Sequence, residues 1–206
     1  DYSSQQKFSQ ATSVSRPAHG TNRPGRTHRE QRLPVSTIAN HGYRVHVGLV
    51  REPDTLDGAA AHQHDILASM DVQMETGPDA IQTNAGAVVD ALVGYGLSGP
   101  LSGQAREMVT ALPDSADSIV SLDVPSGTDA TTGETPGDRV TPDVTVTLAL
   151  PKTGLDTERY DLLLADIGIP ETVYEQAGTE YRTPFDASYL VRLQRRRGTG
   201  IRVVRT

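Results

Sequence analysis

Short apolar runs alternate with helical segments along the middle of this 206-residue chain, and this alternation constrains its fold more than any other feature. Turn residues bound the runs, which predicts strands over residues 44–50, 86–94, 118–124, 143–150 and 161–169. Helices are predicted to end near Gly42 and to span residues 57–70, 101–112 and 170–178. Such alternation is typical of a parallel sheet covered on both faces. We therefore expect an α/β fold, a three-layer αβα sandwich of Rossmann-like type with a mostly parallel sheet.

Charge divides the chain into three segments. Residues 1–37 carry six bases and two acids, and residues 192–206 carry six Arg and no acid. Residues 38–191 instead hold 24 acids and seven bases, a net charge of −17. Like charges at this density repel one another in dilute salt and are screened in molar salt, which favours a halophilic host over an ordinary cytosolic protein with an acidic surface.

The same division predicts the domain organisation. A basic, low-complexity or anomalous segment covers residues 1–37, one folded domain covers 38–193, and a basic tail covers 194–206. Residues 1–37 show neither helical nor strand periodicity and have the composition of a disordered segment. Because the composition of both ends contradicts the acidic middle, a misread reading frame is an alternative explanation for them.

Composition excludes several classes of function. The chain has no Cys and no Trp and only two Phe, so disulfides, thiolate catalysis, Cys-ligated zinc and aromatic stacking of nucleobases are not expected. No apolar run approaches the roughly 18 residues of a membrane span, and no secretory h-region is visible, so we expect a cytoplasmic protein that contacts no membrane. Nucleic-acid binding through the Arg-rich ends is the least favoured partner hypothesis.

Two turns follow predicted strands at the edge of the sheet where ligands bind in open α/β folds. In the first turn the glycines Gly94, Gly96 and Gly99 allow close approach of the backbone and expose N–H groups near the start of a helix. This pattern suits a phosphate cradle, and it suits an ordinary glycine turn equally well. In the second turn Asp123 ends a strand and precedes the tight turn Pro125–Gly127, where it either accepts structural hydrogen bonds or transfers protons.

Asp90 occupies the same position in the preceding strand as Asp123 does in its own. The two carboxylates are therefore expected to converge on one edge of the sheet. With main-chain carbonyls and the Ser126 hydroxyl they would suit an alkali or alkaline-earth cation, or would position a reacting water. A zinc-type metal is not expected, because His62 and His64 lie two residues apart on a predicted helix and cannot share a face.

Four segments occur in the order and approximate spacing of a known family. They are DALVGYGLSGPLSG, IVSLDVPSGTDATTGE, VTLALPKTGL and LLLADIGIP. In this combination the chain resembles the YjeF N-terminal domain, the NAD(P)H-hydrate epimerase family, from about Ile38 to Leu193. The resemblance implies a Rossmann-like αβα sandwich that interconverts the R and S epimers of hydrated NADH and NADPH, so that a dehydratase can repair these damaged cofactors.

The resemblance also implies roles for individual residues. Asp90 and Ser126 correspond to ligands of a potassium ion, and Asp123 to the acid/base that also contacts substrate. The substrate would lie along the first turn, formed by Gly94, Tyr95, Gly96, Leu97, Ser98, Gly99 and Pro100. The family further implies a homodimer whose functional partner is an ADP- or ATP-dependent NAD(P)H-hydrate dehydratase.

One departure from the family is visible. Its Asn-Asn-Gly-Gly-Asp-Gly loop, which supplies a further potassium ligand, has no counterpart between residues 11 and 37. The first strand of the sheet is expected to be lost with it. A catalytically inactive binding or scaffold module is therefore the alternative to the epimerase.

Overall fold

The computed structural model describes residues 10–15, 35–81, 85–97, 99–112, 116–196 and 200–204. These residues form one sheet with the strands β1 (Gln10–Ser15), β2 (Arg44–Leu49), β3 (Gln73–Thr76), β4 (Ala87–Ala91), β5 (Ile119–Leu122), β6 (Val144–Leu148), β7 (Asp161–Ala165), β8 (Leu190–Arg196) and β9 (Gly200–Val204). The α-helices are α1 (Val35–Asn40), α2 (Gly58–Ser69), α3 (Gly103–Ala111) and α4 (Glu171–Gln176). Single turns of 3-10 helix cover Pro53–Thr55 and Pro78–Ala80.

The strand order is β3-β2-β1-β4-β5-β6-β7-β8-β9. Parallel pairing joins β2 to β3 and runs through β4, β5, β6 and β7, whereas β1 and β8 are antiparallel to both of their neighbours. Seven of the nine described strands therefore point the same way. The expected α/β architecture with a mostly parallel sheet is confirmed, and so are the predicted strands and helices between residues 38 and 178.

Helices α1 and α2 pack against β2. Val45, Val47 and Leu49 of the strand form a buried cluster with Leu67 of α2, and Ile38 of α1 packs against it. Val45, Val47 and Leu49 alternate with His46 and Gly48 along β2, and all five residues are buried, as is typical of a strand covered on both faces. Gly42 ends the preceding turn with a φ of 81°, a left-handed conformation that glycine adopts without steric cost.

Strands occur in the segment 1–37, predicted to be basic, low in complexity or anomalous, and in the predicted basic tail 194–206. β1 lies between β2 and β4, with Ala11 opposite Asp90 and Ser15 opposite Arg44. At the other end, Leu193 of β8 is buried in the core and Val203 of β9 packs against it. The expectation that a strand is missing at this position of the sheet is therefore wrong, because hydrogen bonding to neighbouring strands can outweigh the weak local propensity of residues 10–15. Residues 1–9, 16–34, 197–199 and 205–206 lie outside the described chain, and the domain division stays a prediction.

The direction of β1 matters for the site. Gln10 pairs with Ala91 at the carboxyl end of β4, and Val14 pairs with Ala87 at its amino end. β1 therefore ends at the edge of the sheet opposite the carboxyl end of β4, so that its first residue and not its last lies beside the end of β4.

Close backbone packing between Gly133 and Gly154 gives a test of the loop structure beside the sheet. A Cβ atom at Gly154 would lie 2.4 Å from the Gly133 nitrogen and 2.6 Å from the Asp129 oxygen. We expect Gly154→Ala to lower the free energy of unfolding by about 1–3 kcal/mol, the usual cost of overpacking, as measured by urea denaturation. Gly99→Ala is the matched control, because no atom lies within 4 Å of its added Cβ and its φ is outside the left-handed region. Equal stability of the two variants would contradict this packing.

Candidate active site

The carboxyl ends of β4, β5 and β6 form the edge on which the predicted site residues lie. Asp90 is in β4, Asp123 follows β5, and Lys152 follows β6. Asp90 is in register with Ser121 of β5, so the two side chains meet across neighbouring parallel strands. This edge is the region of an open α/β sheet where ligands bind.

The Asp90 carboxylate is fully buried and accepts four hydrogen bonds. Oδ2 accepts one from the Ser121 hydroxyl at 2.7 Å and one from the Ser126 N–H at 3.0 Å. Oδ1 accepts one from the Ser126 hydroxyl at 2.6 Å and one from the Leu92 N–H at 3.3 Å. The Ser126 Oγ in turn accepts a hydrogen bond from the Val93 N–H at 2.8 Å and lies 3.2 Å from the Val93 carbonyl oxygen. Asp90 thereby fixes the turn that contains Ser126 against the end of β4.

Burial raises the pKa of Asp90 above its ordinary value, because desolvation disfavours the charged form, while the hydrogen bonds from Ser126, Ser121 and Leu92 oppose that rise. In the described part of the chain no cationic side chain forms an ion pair with Asp90. A buried carboxylate without a counter-charge requires either a proton or a bound cation for stability.

Strands β5 and β6 end in the same unusual turn. Asp123 has a φ of 71°, and the Val124 N–H donates to the Leu122 carbonyl at 3.0 Å. Ala149 has a φ of 63°, and the Leu150 N–H donates to the Leu148 carbonyl at 2.7 Å. Three-residue turns with a positive central φ are rare and strained for residues other than glycine. Two such turns side by side mark this edge as a functional-site candidate on backbone geometry alone.

The paired turns bring Asp123 and Lys152 into contact. The Lys152 ammonium donates to Asp123 Oδ1 and, at 2.9 Å, to the Leu148 carbonyl. The Leu148 N–H also donates to Asp123 Oδ1 at 3.1 Å. The Asp123 side chain is 22% exposed and the Lys152 side chain is 16% exposed, so the ion pair is largely shielded yet still reaches solvent.

The glycine turn predicted to bind substrate lies beside Asp123. A Cβ atom at Gly94 would be 3.9 Å from Asp123 Oδ2, and Gly96 has a φ of 97°. Tyr95 is 61% exposed, whereas Leu97 packs against the core cluster that contains Met108 of α3. A Cβ atom added at Gly137 would lie 3.1 Å from Pro100, so these two residues are closely packed. A Cβ atom added at Gly99 would have no atom within 4 Å. Ser98 lies outside the described residues.

The structure thus brings together some of the predicted residues and separates others. Asp90 and Ser126 are in direct contact, and Asp123 faces the start of the glycine turn. Within the described residues no hydrogen bond joins Asp90 to Asp123, and each carboxylate has its own partners. No group of three or more His, Asp or Glu side chains arranged to hold a metal occurs in the described residues.

Lys152 and Ser121 are the site residues that sequence reasoning missed. Lys152 carries a signal that could have revealed it, because it is the only Lys between residues 38 and 191 and it directly follows a predicted strand. The criterion that singled out Asp90 and Asp123 therefore applies to it as well. Ser121 gives no such signal, since its role depends on register with Asp90 across two strands.

A cavity of about 330 Å³ lies next to this edge. It shares Pro125 with the turn that holds Ser126 and is otherwise lined by loop residues that include Thr128, Gly133, Leu155 and Tyr160. None of the sequence-predicted site residues lines it. Across the described ranges, no helix is both long enough and apolar enough to span a bilayer.

Fold and site together define an α/β protein of Rossmann-like type with a carboxylate-bearing strand edge. Residues 36–154 match the family described as YjeF-related protein N-terminus, which is more than half of the chain. The chain belongs to that family, as its motifs predict.

Two relatives of known name are similar to this chain in sequence. Over 159 residues it is 44% identical to the NAD(P)H-hydrate epimerase of Dehalogenimonas lykanthroporepellens, which covers 76% of this chain and 64% of that protein. Over 147 residues it is 29% identical to the bifunctional NAD(P)H-hydrate repair enzyme Nnr of Coxiella burnetii, covering 69% of this chain and 30% of that protein. The chain therefore spans just under two thirds of the first relative and less than a third of the second.

The crystal structure of yeast ynu0 has a similar fold. It superposes with a TM-score of 0.54 at 21% identity, over 65% of this chain and 60% of the yeast chain. At this identity the likeness shows the shared α/β fold and nothing further.

Loss of the Ser126 hydroxyl tests the Asp90 network. Ser126→Ala removes a buried donor to Asp90 and the acceptor of the Val93 N–H, so we expect the free energy of unfolding to fall by about 2–3 kcal/mol in urea denaturation. Ser69→Ala is the control, because its hydroxyl donates to the Ile66 carbonyl on an exposed part of α2. An equal loss in both variants would show that the buried network adds nothing to stability.

Proposed function

We propose that this protein is an NAD(P)H-hydrate epimerase that interconverts the R and S forms of hydrated NADH and NADPH. Family membership and the 44% identity to a protein of that name support the activity. The observation that carries the proposal is the Asp123 carboxylate, with one oxygen held by Lys152 and the Leu148 N–H and the other facing Gly94.

Asp123 supplies the proton transfer in this proposal. Inversion at the hydrated carbon requires that the hydroxyl leave with a proton, as water, and that water return to the opposite face and release that proton. Asp123 donates the proton to the leaving hydroxyl, and the water that adds on the opposite face releases its proton to solvent, from which Asp123 is protonated again. Its placement at the strand end, on a turn fixed by β6, holds it still while the substrate changes configuration.

The glycine turn would bind the substrate in this scheme. Gly94, Gly96 and Gly99 carry no side chain, so phosphate oxygens and the nicotinamide ring can approach the backbone N–H groups closely. Tyr95 is exposed and offers an aromatic face beside the turn. Leu97, Ser98 and Pro100 complete the proposed binding segment.

Potassium is the cofactor that the residues at Asp90 fit. Asp90, Ser126 and the Val93 carbonyl present hard oxygen donors close together, and Asp90 lacks a cationic partner among the described side chains. When bound there, the ion would compensate the buried carboxylate and reinforce the turn that holds Ser126. The proposed ligands are Asp90 and Ser126.

The remaining proposals concern the functional partner, the oligomeric state, the cellular location and the host. The names of the bifunctional relatives support a metabolite-repair role, and we propose an NAD(P)H-hydrate dehydratase as functional partner and a homodimer as the assembly. A cytoplasmic location and a halophilic host rest on the composition, above all on the net charge of −17 over residues 38–191.

A non-catalytic binding module is the second candidate. The lack of a counterpart to the Asn-Asn-Gly-Gly-Asp-Gly loop between residues 11 and 37 favours it, because that loop supplies a potassium ligand in the family. The activity measurement below separates the two candidates.

The first measurement is epimerisation itself. The chain is given the R epimer of hydrated NADH in molar KCl, with an S-specific dehydratase as reporter. We expect consumption of the R epimer to exceed the spontaneous rate, and Asp123→Asn to lower kcat by about 10²–10⁴-fold, the usual contribution of a general acid/base. Asp65→Asn is the control, since Asp65 is exposed on α2. An unaccelerated rate with folded protein would favour the binding module.

A second measurement concerns potassium. At constant ionic strength we expect KCl to raise Tm above its value in choline chloride by about 3–8 °C, the effect of a ligand present at 10–100 times its Kd on a chain of this size. Asp90→Asn should remove this difference, because it replaces the carboxylate that the cation compensates. The Asp65→Asn variant should keep it. A potassium effect that survives Asp90→Asn would remove Asp90 from the ligand set.

A further inference from the structure

The contacts of Lys152 set it apart from the other basic side chains of the described chain. Its ammonium has three N–H donors, of which one contacts Asp123 Oδ1 and one the Leu148 carbonyl. The ion pairs of Arg106, Arg159 and Arg192 instead involve side chains that are at least 39% exposed on both partners. Exposed pairs of that kind contribute little, whereas a shielded pair fixes the geometry of both members.

The same contacts distinguish the two oxygens of Asp123. Oδ1 accepts from Lys152, from the Leu148 N–H and, at 3.5 Å, from the Thr147 hydroxyl, so its acceptor capacity is taken up by β6 and the turn after it. Within the described residues Oδ2 accepts no hydrogen bond, and it lies 3.9 Å from where a Cβ atom at Gly94 would be. One oxygen is therefore anchored and the other is directed at the glycine turn.

Backbone geometry shows how Lys152 reaches this position. The turn centred on Ala149 changes the direction of the chain directly after β6. Pro151, whose φ is fixed by its ring, then precedes Lys152. The turn centred on Asp123 lies at the end of the adjacent strand, where the Asp123 N–H donates to the Val146 carbonyl at 2.8 Å. Two strained turns on neighbouring strands are thus joined by one ion pair.

We propose that Lys152 is a positioning residue for Asp123, which binds Oδ1 and so leaves Oδ2 as the oxygen that exchanges protons with the substrate. This inference rests on the proposed epimerase activity. Lys152 acts through Asp123 and not by a separate contact with the substrate, so its effect should fall on turnover and should require the Asp123 carboxylate.

A double-mutant cycle in the epimerisation assay tests the proposal. Lys152→Met keeps the length of the side chain and removes its donors. We expect kcat to fall about 100-fold, the usual consequence of misplacing a reacting group by about 1 Å, with KM changed less than about threefold. In an Asp123→Asn background the same substitution should have no further effect on kcat, because the residue through which Lys152 acts is already lost.

Arg192→Met is the matched control. It removes a basic side chain from an ion pair with Asp161, at the amino end of β7 and thus at the opposite edge of the sheet. Its kcat should equal that of the original protein. Far-UV circular dichroism and urea denaturation establish that each variant is folded, and binding of NADPH, followed by its fluorescence, establishes that the nucleotide site is intact.

Each outcome has one interpretation. An unchanged kcat in folded Lys152→Met would overturn the proposal, and so would a loss that multiplies with that of Asp123→Asn, since Lys152 would then act independently. If Lys152→Met does not fold, Lys152→Leu replaces it because it also lacks donors, and there a loss of kcat of less than about threefold overturns the proposal. Failure of the proposed function is distinct, because it appears as the absence of activity in the unsubstituted chain.

Discussion

Burial of the Asp90 carboxylate is the constraint on which the rest of the site depends. A fully buried carboxylate is stable only if its oxygens are hydrogen-bonded, and here the four donors come from β5, from the end of β4 and from the turn at Ser126. The turn after β5 therefore cannot move away from β4 without exposing or orphaning a charge. Asp123 precedes Ser126 by three residues, so fixing one end of this segment restricts the other.

Glycine makes that turn possible at its other end. Gly127 has a φ of 92°, and a Cβ atom there would lie 2.3 Å from the Asp138 carbonyl oxygen. The segment that returns from the loop also hydrogen-bonds directly to the turn, as the Val140 N–H donates to the Ser126 carbonyl at 2.8 Å. Ser126 is thus held by its side chain on one side and by its backbone on the other. Only a glycine at position 127 allows Ser126 to contact Asp90 with its side chain and Val140 with its backbone at once.

The elements that could be predicted from sequence are those whose side chains carry the pattern. The apolar runs at β2, β6 and β7 and the glycine at residue 42 identified strands and a helix end, because burial and positive φ select those residue types directly. β1 and β9 could not be predicted in this way. Both strands pair with their neighbours through backbone hydrogen bonds, which nearly every residue type can form, so the basic composition around them does not reveal them. Lys152 could be predicted only in part. Its position after a strand is visible in the sequence, whereas its contact with Asp123 depends on the two turns.

The charges around Lys152 explain why its ion pair affects the site more than an exposed Arg pair elsewhere in the described chain would. Residues 38–191 carry a net charge of −17 and repel an anionic ligand, and salt screens this repulsion only over distances beyond about 8 Å at physiological ionic strength. Close to the site, the field is set by the nearest groups. There the Lys152 ammonium compensates the charge of the Asp123 carboxylate, which both carboxylate oxygens share. The ion pair therefore weakens the repulsion between the Asp123 carboxylate and an anionic ligand at the neighbouring glycine turn.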